Sequence, residues 1–132
     1  QRNRFCPIIC ELFDAKPNIS YQQRSHLLIK HGIALWDVLQ SCYREGSLDS
    51  AIDHTSIRVN DFNAFFQQHN KIESVFFNGS KAEQLFKKHV INTLTLETAD
   101  LHFLRLPSTS PAHAAMSFQE KLKRWQVIKE LL

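Results

Sequence analysis

Apolar residues along the 132-residue chain fall into short clusters whose spacing switches between helical and strand-like. Phe5, Ile8, Ile9, Leu12 and Phe13 recur at intervals of three and four, which predicts a helix ending before Lys16-Pro17. Pro7 suits its first turn, where a missing amide hydrogen costs nothing. SYQQRSHLLIKHG follows, with Ser20 and Gln23 in capping-box spacing and Gly32 as a stop signal, so a second helix has both ends marked. After that glycine, GIALWDVL reads as a buried strand of about four residues, and REGSLDS as a loop. NDFNAFFQQHN sets Phe62, Phe65, Phe66 and His69 on one face behind a polar cap at Asn60 or Asp61, a third helix.

The segment ESVFFNGSKAEQLFKKH changes period midway. SVFF predicts a strand, Asn78-Gly79-Ser80 a tight turn, and KAEQLFKKH a helix with Leu85 and Phe86 inward, together half of a βαβ unit. LHFLRL predicts another strand and LPSTSPA a loop. SFQEKLKRWQVIKELL then closes the chain as a helix with a Ser117–Glu120 capping box and Phe118, Leu122, Trp125, Ile128 and Leu132 on its buried stripe. Strands alternating with helices imply an α/β fold around a parallel sheet with helices on both faces. Ligands of such sheets bind beyond the carboxyl ends of the strands, where three loops are expected to gather: after GIALW, after SVFF, and LPSTSPAHAA after LHFL.

Composition narrows the class. The length fits one domain, and 43% hydrophobic with 22% charged residues is the balance of a soluble globular protein. No apolar run nears the roughly 20 residues that span a bilayer, and no signal peptide stands at the start. A net charge of +3 permits a polyanionic partner without demanding one. Cys6, Cys10 and Cys42 are an odd count without disulfide-framework spacing, which points to a reducing cytoplasm. Cys6 and Cys10 share a helix face, but further metal ligands are missing and buried thiols explain them better. The opening QRNRF lacks a methionine, and the chain is expected to be a fragment whose natural start lies upstream.

Several chemistries lack their motifs. There is no G-x-G-x-x-G, no G-x-x-x-x-G-K-[ST] and no G-x-S-x-G, and neither H-x-E nor C-x-x-C occurs. No cofactor is indicated. What remains is the loop Pro107-Ser108-Thr109-Ser110-Pro111, stiffened by its prolines and able to offer amides and hydroxyls to phosphates, or else an ordinary strand-to-helix connector. Asp37, beside Trp36 at the end of the GIALW strand, either accepts a hydrogen bond from a ring N–H or caps the next segment. Asn3 is a helix N-cap candidate, Asn78-Gly79 a turn, and His113 a loop histidine that could donate to a phosphate or a leaving group. Arg44, Lys81 and Arg105 lie near the expected loop edge. Arg58, Lys87, Lys88, Lys121, Lys123 and Arg124 read as solvated charge on helix backs.

In order along the chain, NRFCPII, HGIALWDVLQSCYREGSLDSAI, the NDF of Asn60 to Phe62, VFFNGSKAEQLF and LPSTSPAHAA resemble the hypoxanthine-DNA glycosylase branch of the uracil-DNA glycosylase superfamily. The resemblance runs from Gln1 to about Ala115. It implies a three-layer α/β/α sandwich around a short parallel sheet, and excision of a deaminated base (hypoxanthine, with uracil as the alternative) from single- or double-stranded DNA. It implies a monomer that works without metal or organic cofactor. LPSTSPA corresponds to the second signature loop, which grips the DNA backbone and reaches toward the leaving base. Relatives begin that loop with histidine or asparagine; here the position is Leu106, so Ser108, Ser110 or backbone amides must supply the donor. By the same resemblance Asn3, Ser108 and Ser110 are the catalytic candidates and Asp37 and Phe5 meet the flipped base. Pro107, Thr109, His113, Arg44, Lys81 and Arg105 line the DNA. Cys6 replaces the tryptophan expected after Arg4-Phe5. The first signature loop would precede Gln1, so the chain is expected to lack an amino-terminal strand and to show little glycosylase activity alone. A non-catalytic nucleic-acid or protein-interaction module on the same scaffold is the rival reading.

Overall fold

A computed structural model of the chain describes residues 4–16, 18–44, 52–95, 101–110 and 115–131. Asn3, Pro17, the stretch from Glu45 to Ala51, Pro111, His113 and Leu132 lie outside those residues, and of Arg44 only the backbone course is described. The elements run α1 (Phe5–Leu12), α2 (Tyr21–Lys30), β1 (Leu39–Arg44), β2 (Ile52–Val59), α3 (Phe62–Gln68), β3 (Ser74–Asn78), α4 (Ser80–His89), a 3-10 turn (Ile91–Thr93), β4 (His102–Leu106), α5 (Phe118–Trp125) and α6 (Val127–Glu130). They form two compact units: Gln1–Leu35 with Leu106–Leu132, and Trp36–Arg105.

The first unit is helical. Ile8, Ile9, Cys10 and Leu12 form the buried face of α1, which packs on α5, where Leu122 and Trp125 are buried. Burial of each such side chain stabilises the fold by roughly 1.5–3 kcal/mol. The expected capping box of α2 is complete: Ser20 Oγ accepts from the Gln23 amide at 3.2 Å, and Gln23 Oε1 accepts from the Ser20 amide at 2.8 Å. At its other end Gly32 takes the left-handed conformation (φ 72°), which lets the Ile33 amide reach back to the Leu28 carbonyl at 2.8 Å. Asp14 plays the same part for α1 at φ 56°, with the Ala15 amide on the Cys10 carbonyl at 2.8 Å. The last helix does not run unbroken. The chain tightens at Gln126, whose carbonyl accepts from the Lys129 amide three residues on at 3.0 Å, and α6 follows. Only half of the Ser117–Glu120 box forms. The Ser117 hydroxyl accepts from the Glu120 amide at 3.2 Å, but the Glu120 carboxylate takes the hydroxyl rather than the backbone amide.

The second unit carries the strands around an aromatic core of Phe62, Phe66, Phe77, Phe86 and Val90. Phe77 and Phe103 stack nearly parallel at 6.0 Å, and Phe86 meets Phe62 edge-on at 5.4 Å. β3, α4 and β4 are the expected strand–helix–strand. The His102 amide donates to the Glu73 carbonyl at 2.8 Å, joining the two strands at their amino ends, so the pair runs parallel. Gly79, at φ 95°, makes the turn into α4.

β1 and β2 correct the reading of GIALWDVL. The strand lies at Leu39–Arg44, not at Gly32–Trp36, and it pairs antiparallel with β2 through two register shifts. Leu35 and Trp36 are 62% and 41% exposed rather than buried. The Ile33 amide is used in closing α2, and Asn60 holds the next residues in an irregular path: its side-chain amide donates to the Asp37 carbonyl at 2.6 Å and its backbone amide to the Val38 carbonyl at 3.0 Å.

Candidate functional site

Leu106 ends β4 with 3% of its surface exposed, a core residue. The chain then leaves the strand as Pro107-Ser108-Thr109-Ser110, and three successive fastenings hold it. The Trp125 indole donates to the Pro107 carbonyl at 2.8 Å, the Arg4 amide to the Thr109 carbonyl at 2.8 Å, and the Lys121 ammonium to the Ser110 carbonyl at 3.3 Å. Each bond to a neutral carbonyl contributes about 1 kcal/mol, and losing a buried partner costs more.

The fastenings dictate which groups face the other way. In a planar trans peptide the carbonyl and the next amide hydrogen point in opposite directions, and no peptide here is cis. Drawing the Pro107 carbonyl toward α5 therefore turns the Ser108 N–H away from it. Drawing the Thr109 carbonyl toward the start of α1 turns the Ser110 N–H outward, where it meets the Ser108 hydroxyl at 3.1 Å. The Pro107 and Thr109 carbonyls are held on one side, and the Ser108 amide and hydroxyl, the hydroxyl accepting from the Ser110 amide, lie on the other. That second edge is electropositive and suits an anion.

The surrounding side chains are fixed too. Thr109 is fully buried, and Phe5 sets its ring edge-on to Trp125 at 5.9 Å. The Arg4 guanidinium lies over the Phe118 ring at 5.6 Å. The structure thus brings Phe5, Pro107, Ser108, Thr109 and Ser110 together in the first unit.

The other described candidates belong to the second unit. Asp37 is exposed, in irregular chain ahead of β1 rather than at a strand end, with its backbone fixed by Asn60. The NDF segment has three structural tasks. Asn60 fastens the Asp37 turn, Asp61 caps α3 by accepting from the Ala64 amide at 3.1 Å, and Phe62 enters the core. Arg105 pairs with Glu83 at 3.6 Å, and Lys87 pairs with the same carboxylate at 3.5 Å. Lys81 stands in the first turn of α4, half-buried, without an ion pair among the described residues.

Lys121 had read as solvated charge and is instead 3% exposed. With Trp125 and the Arg4 amide it was missed as a loop fastening, although one signal was present: Lys121 sits four residues before Trp125, on the same helix face. Cys6 is a free thiol that accepts from the Arg24 guanidinium, and Cys10 is free and buried. Burial, with Cys6 next to it, pushes the Cys10 thiol above its ordinary value of 9.0 against an opposing pull from Arg24. Among the described residues no three His, Cys, Asp or Glu side chains are grouped to hold a metal ion. None of the described helices is long and apolar enough to cross a membrane.

No family model matches the chain. It is 30% identical over 111 residues to a hypoxanthine DNA glycosylase of Methanosarcina acetivorans, an alignment that covers 84% of this chain and 64% of the relative. The chain therefore spans a little less than two thirds of that relative's length. Its fold matches the solution structure of a candidate uracil DNA glycosylase from Methanosarcina acetivorans, with a TM-score of 0.74 and 25% identity over 98% of this chain and 75% of the other. In sequence the chain is similar to a hypoxanthine DNA glycosylase and in fold to a candidate uracil DNA glycosylase, the likeness that its motifs implied.

Proposed function

We propose that this protein removes deaminated bases from DNA, hypoxanthine first and uracil as the alternative, by flipping the nucleotide out and hydrolysing its N-glycosidic bond. DNA, single- or double-stranded, is the partner, and the protein works as a cytoplasmic monomer. The observation that carries the reading is the Ser108 amide turned outward beside its hydroxyl, in the segment LPSTSPA that resembles the DNA-gripping loop of the glycosylases. Leu106 is buried, so the donor to the leaving base comes from the loop itself, from Ser108, Ser110 or their amides.

In this reaction the bond breaks toward a cationic sugar and an anionic base, and a water completes the sugar. Fixed donors that face the developing anion lower the barrier because they need not reorient as charge appears. Asp37, exposed and fastened through its backbone, accepts the ring N–H common to hypoxanthine and uracil. Phe5 and Asn3 belong to the base and water side of the site, while Arg44, Lys81, Arg105 and His113 serve the DNA backbone; Thr109, fully buried, shapes the loop and does not touch DNA.

The test is release of free hypoxanthine, with uracil in parallel, from duplex and single-stranded oligonucleotides by the polypeptide at its natural length. Base release that Ser108→Ala and Asp37→Ala abolish, with circular dichroism unchanged, is the expected result. DNA binding without base release would instead identify a non-catalytic module on the same scaffold and overturn the enzymatic reading.

A further inference from the structure

We propose that Lys121 is a positioning residue for the DNA loop: its buried ammonium fastens the Ser110 carbonyl inward, and Ser110, whose amide donates to the Ser108 hydroxyl, in turn holds the Ser108 amide and hydroxyl toward a DNA phosphate. The inference rests on the DNA-glycosylase reading and names a part of its machinery.

Lysine is almost never fully buried unless it is paired, because its charge loses hydration. Lys121 is 3% exposed, and among the described residues its ammonium has one acceptor, the Ser110 carbonyl at 3.3 Å, and no carboxylate within ion-pair distance. Leucine or methionine on this face of α5 would fill the space without that cost. The cost is intelligible if the charge does something for the loop.

The Ser110 carbonyl is a backbone group that could spoil the donor edge. Its peptide nitrogen belongs to Pro111, which has no hydrogen, so turning this peptide outward would gain no donor and would present a carbonyl dipole to the phosphate. Trp125 and the Arg4 amide fix the Pro107 and Thr109 carbonyls, and Lys121 fixes that of Ser110. Its positive charge, with two further ammonium hydrogens, lies 3.3 Å from the Ser110 carbonyl, within the loop that the proposal sets against a phosphate. A neutral donor would fasten the carbonyl but would not add that field.

The experiment compares the unmutated chain with Lys121→Met and Lys121→Arg. Three quantities are measured: thermal melting, affinity for a deoxyinosine duplex by fluorescence anisotropy, and Ser108 and Ser110 amide shifts on titration with inorganic phosphate. Lys121→Met is expected to weaken duplex binding about tenfold, the loss of one charged hydrogen bond, and to abolish the phosphate response. Lys121→Arg is expected to restore both. Duplex affinity within twofold of the unmutated chain in Lys121→Met, with the phosphate response kept, would overturn the proposal. A methionine variant that melts lower yet keeps both responses shows a purely structural lysine and overturns it equally. If that variant does not fold, the Lys121 Nζ resonance of the unmutated chain decides: movement with added phosphate supports the proposal, and no movement overturns it. Base release that fails while these phosphate responses hold sinks the enzymatic reading alone. Base release that survives while they are absent sinks only the role of Lys121.

Discussion

Trp125→Phe isolates the fastening nearest β4. The indole is 3% exposed, donates to the Pro107 carbonyl at 2.8 Å and meets Phe5 edge-on at 5.9 Å. Phenylalanine keeps an aromatic ring but has no N–H and is smaller. The unpartnered carbonyl costs about 1–2 kcal/mol, and the lost apolar contact with its residual cavity a further 1–2 kcal/mol or so. A total near ~3 kcal/mol is a large share of the roughly 5–15 kcal/mol that holds a domain folded. Urea unfolding followed by circular dichroism should show the midpoint falling by about 1–2 M with an unchanged slope. The Ser108 amide resonance should move as well, since its direction is set by the Pro107 carbonyl. A midpoint shift below about 0.3 M, with the Ser108 resonance in place, would refute the claim that the indole fastens the loop.

Other substitutions test separate parts of the structure. Asp14→Gly relieves a left-handed non-glycine residue at the end of α1, and the net gain after the added chain entropy is about 0.5–1 kcal/mol, read as a melting temperature a few degrees higher. Asn60→Ala removes the 2.6 Å bond to the Asp37 carbonyl and should cost about 1 kcal/mol in urea unfolding. It should also lower base release while leaving the phosphate response of Ser108 intact, and a parallel loss of both would count against Asp37 as a separately positioned group. The Cys10 thiol, raised by burial, keeps its proton in the folded chain at pH values where the unfolded chain has lost it. Its contribution is therefore whole below pH 9.0 and lost as pH rises through the higher folded value, so melting temperature should fall above pH 9.0 less steeply in Cys10→Ala.

The elements that the sequence announced most clearly were those with local grammar. Ser20, Gln23 and Gly32 mark α2 at both ends, and the structure uses all three as read. Asn78-Gly79 likewise punctuates β3 and α4. The failures came where a short apolar run had to be assigned without such marks. Ile33 looks like strand, yet its amide completes a helix stop five residues back, and Leu35 and Trp36 are left exposed. β2 escaped notice because IDHTSIRV mixes polar residues into its alternation and gains its strand character from pairing with β1. At the site, Ser108 and Ser110 were legible as hydroxyls between prolines, and LPSTSPA as a family segment. The orientation of the loop was not, because it depends on Arg4, Lys121 and Trp125, each more than ten residues away in sequence from the carbonyl it holds. Nothing in the local pattern distinguishes a fastened carbonyl from a free one.

The three fastenings also impose an order on biosynthesis. Arg4 leaves the ribosome early, the loop late, and α5 later still, so the Pro107 and Ser110 carbonyls have no holder until Trp125 and Lys121 have been added. A nascent chain stalled between Ala115 and Lys121 has every residue of the aromatic core, yet lacks the side chains that hold the Pro107 and Ser110 carbonyls. The fastened form of the loop is thus reached only near the end of translation, once α5 has been added.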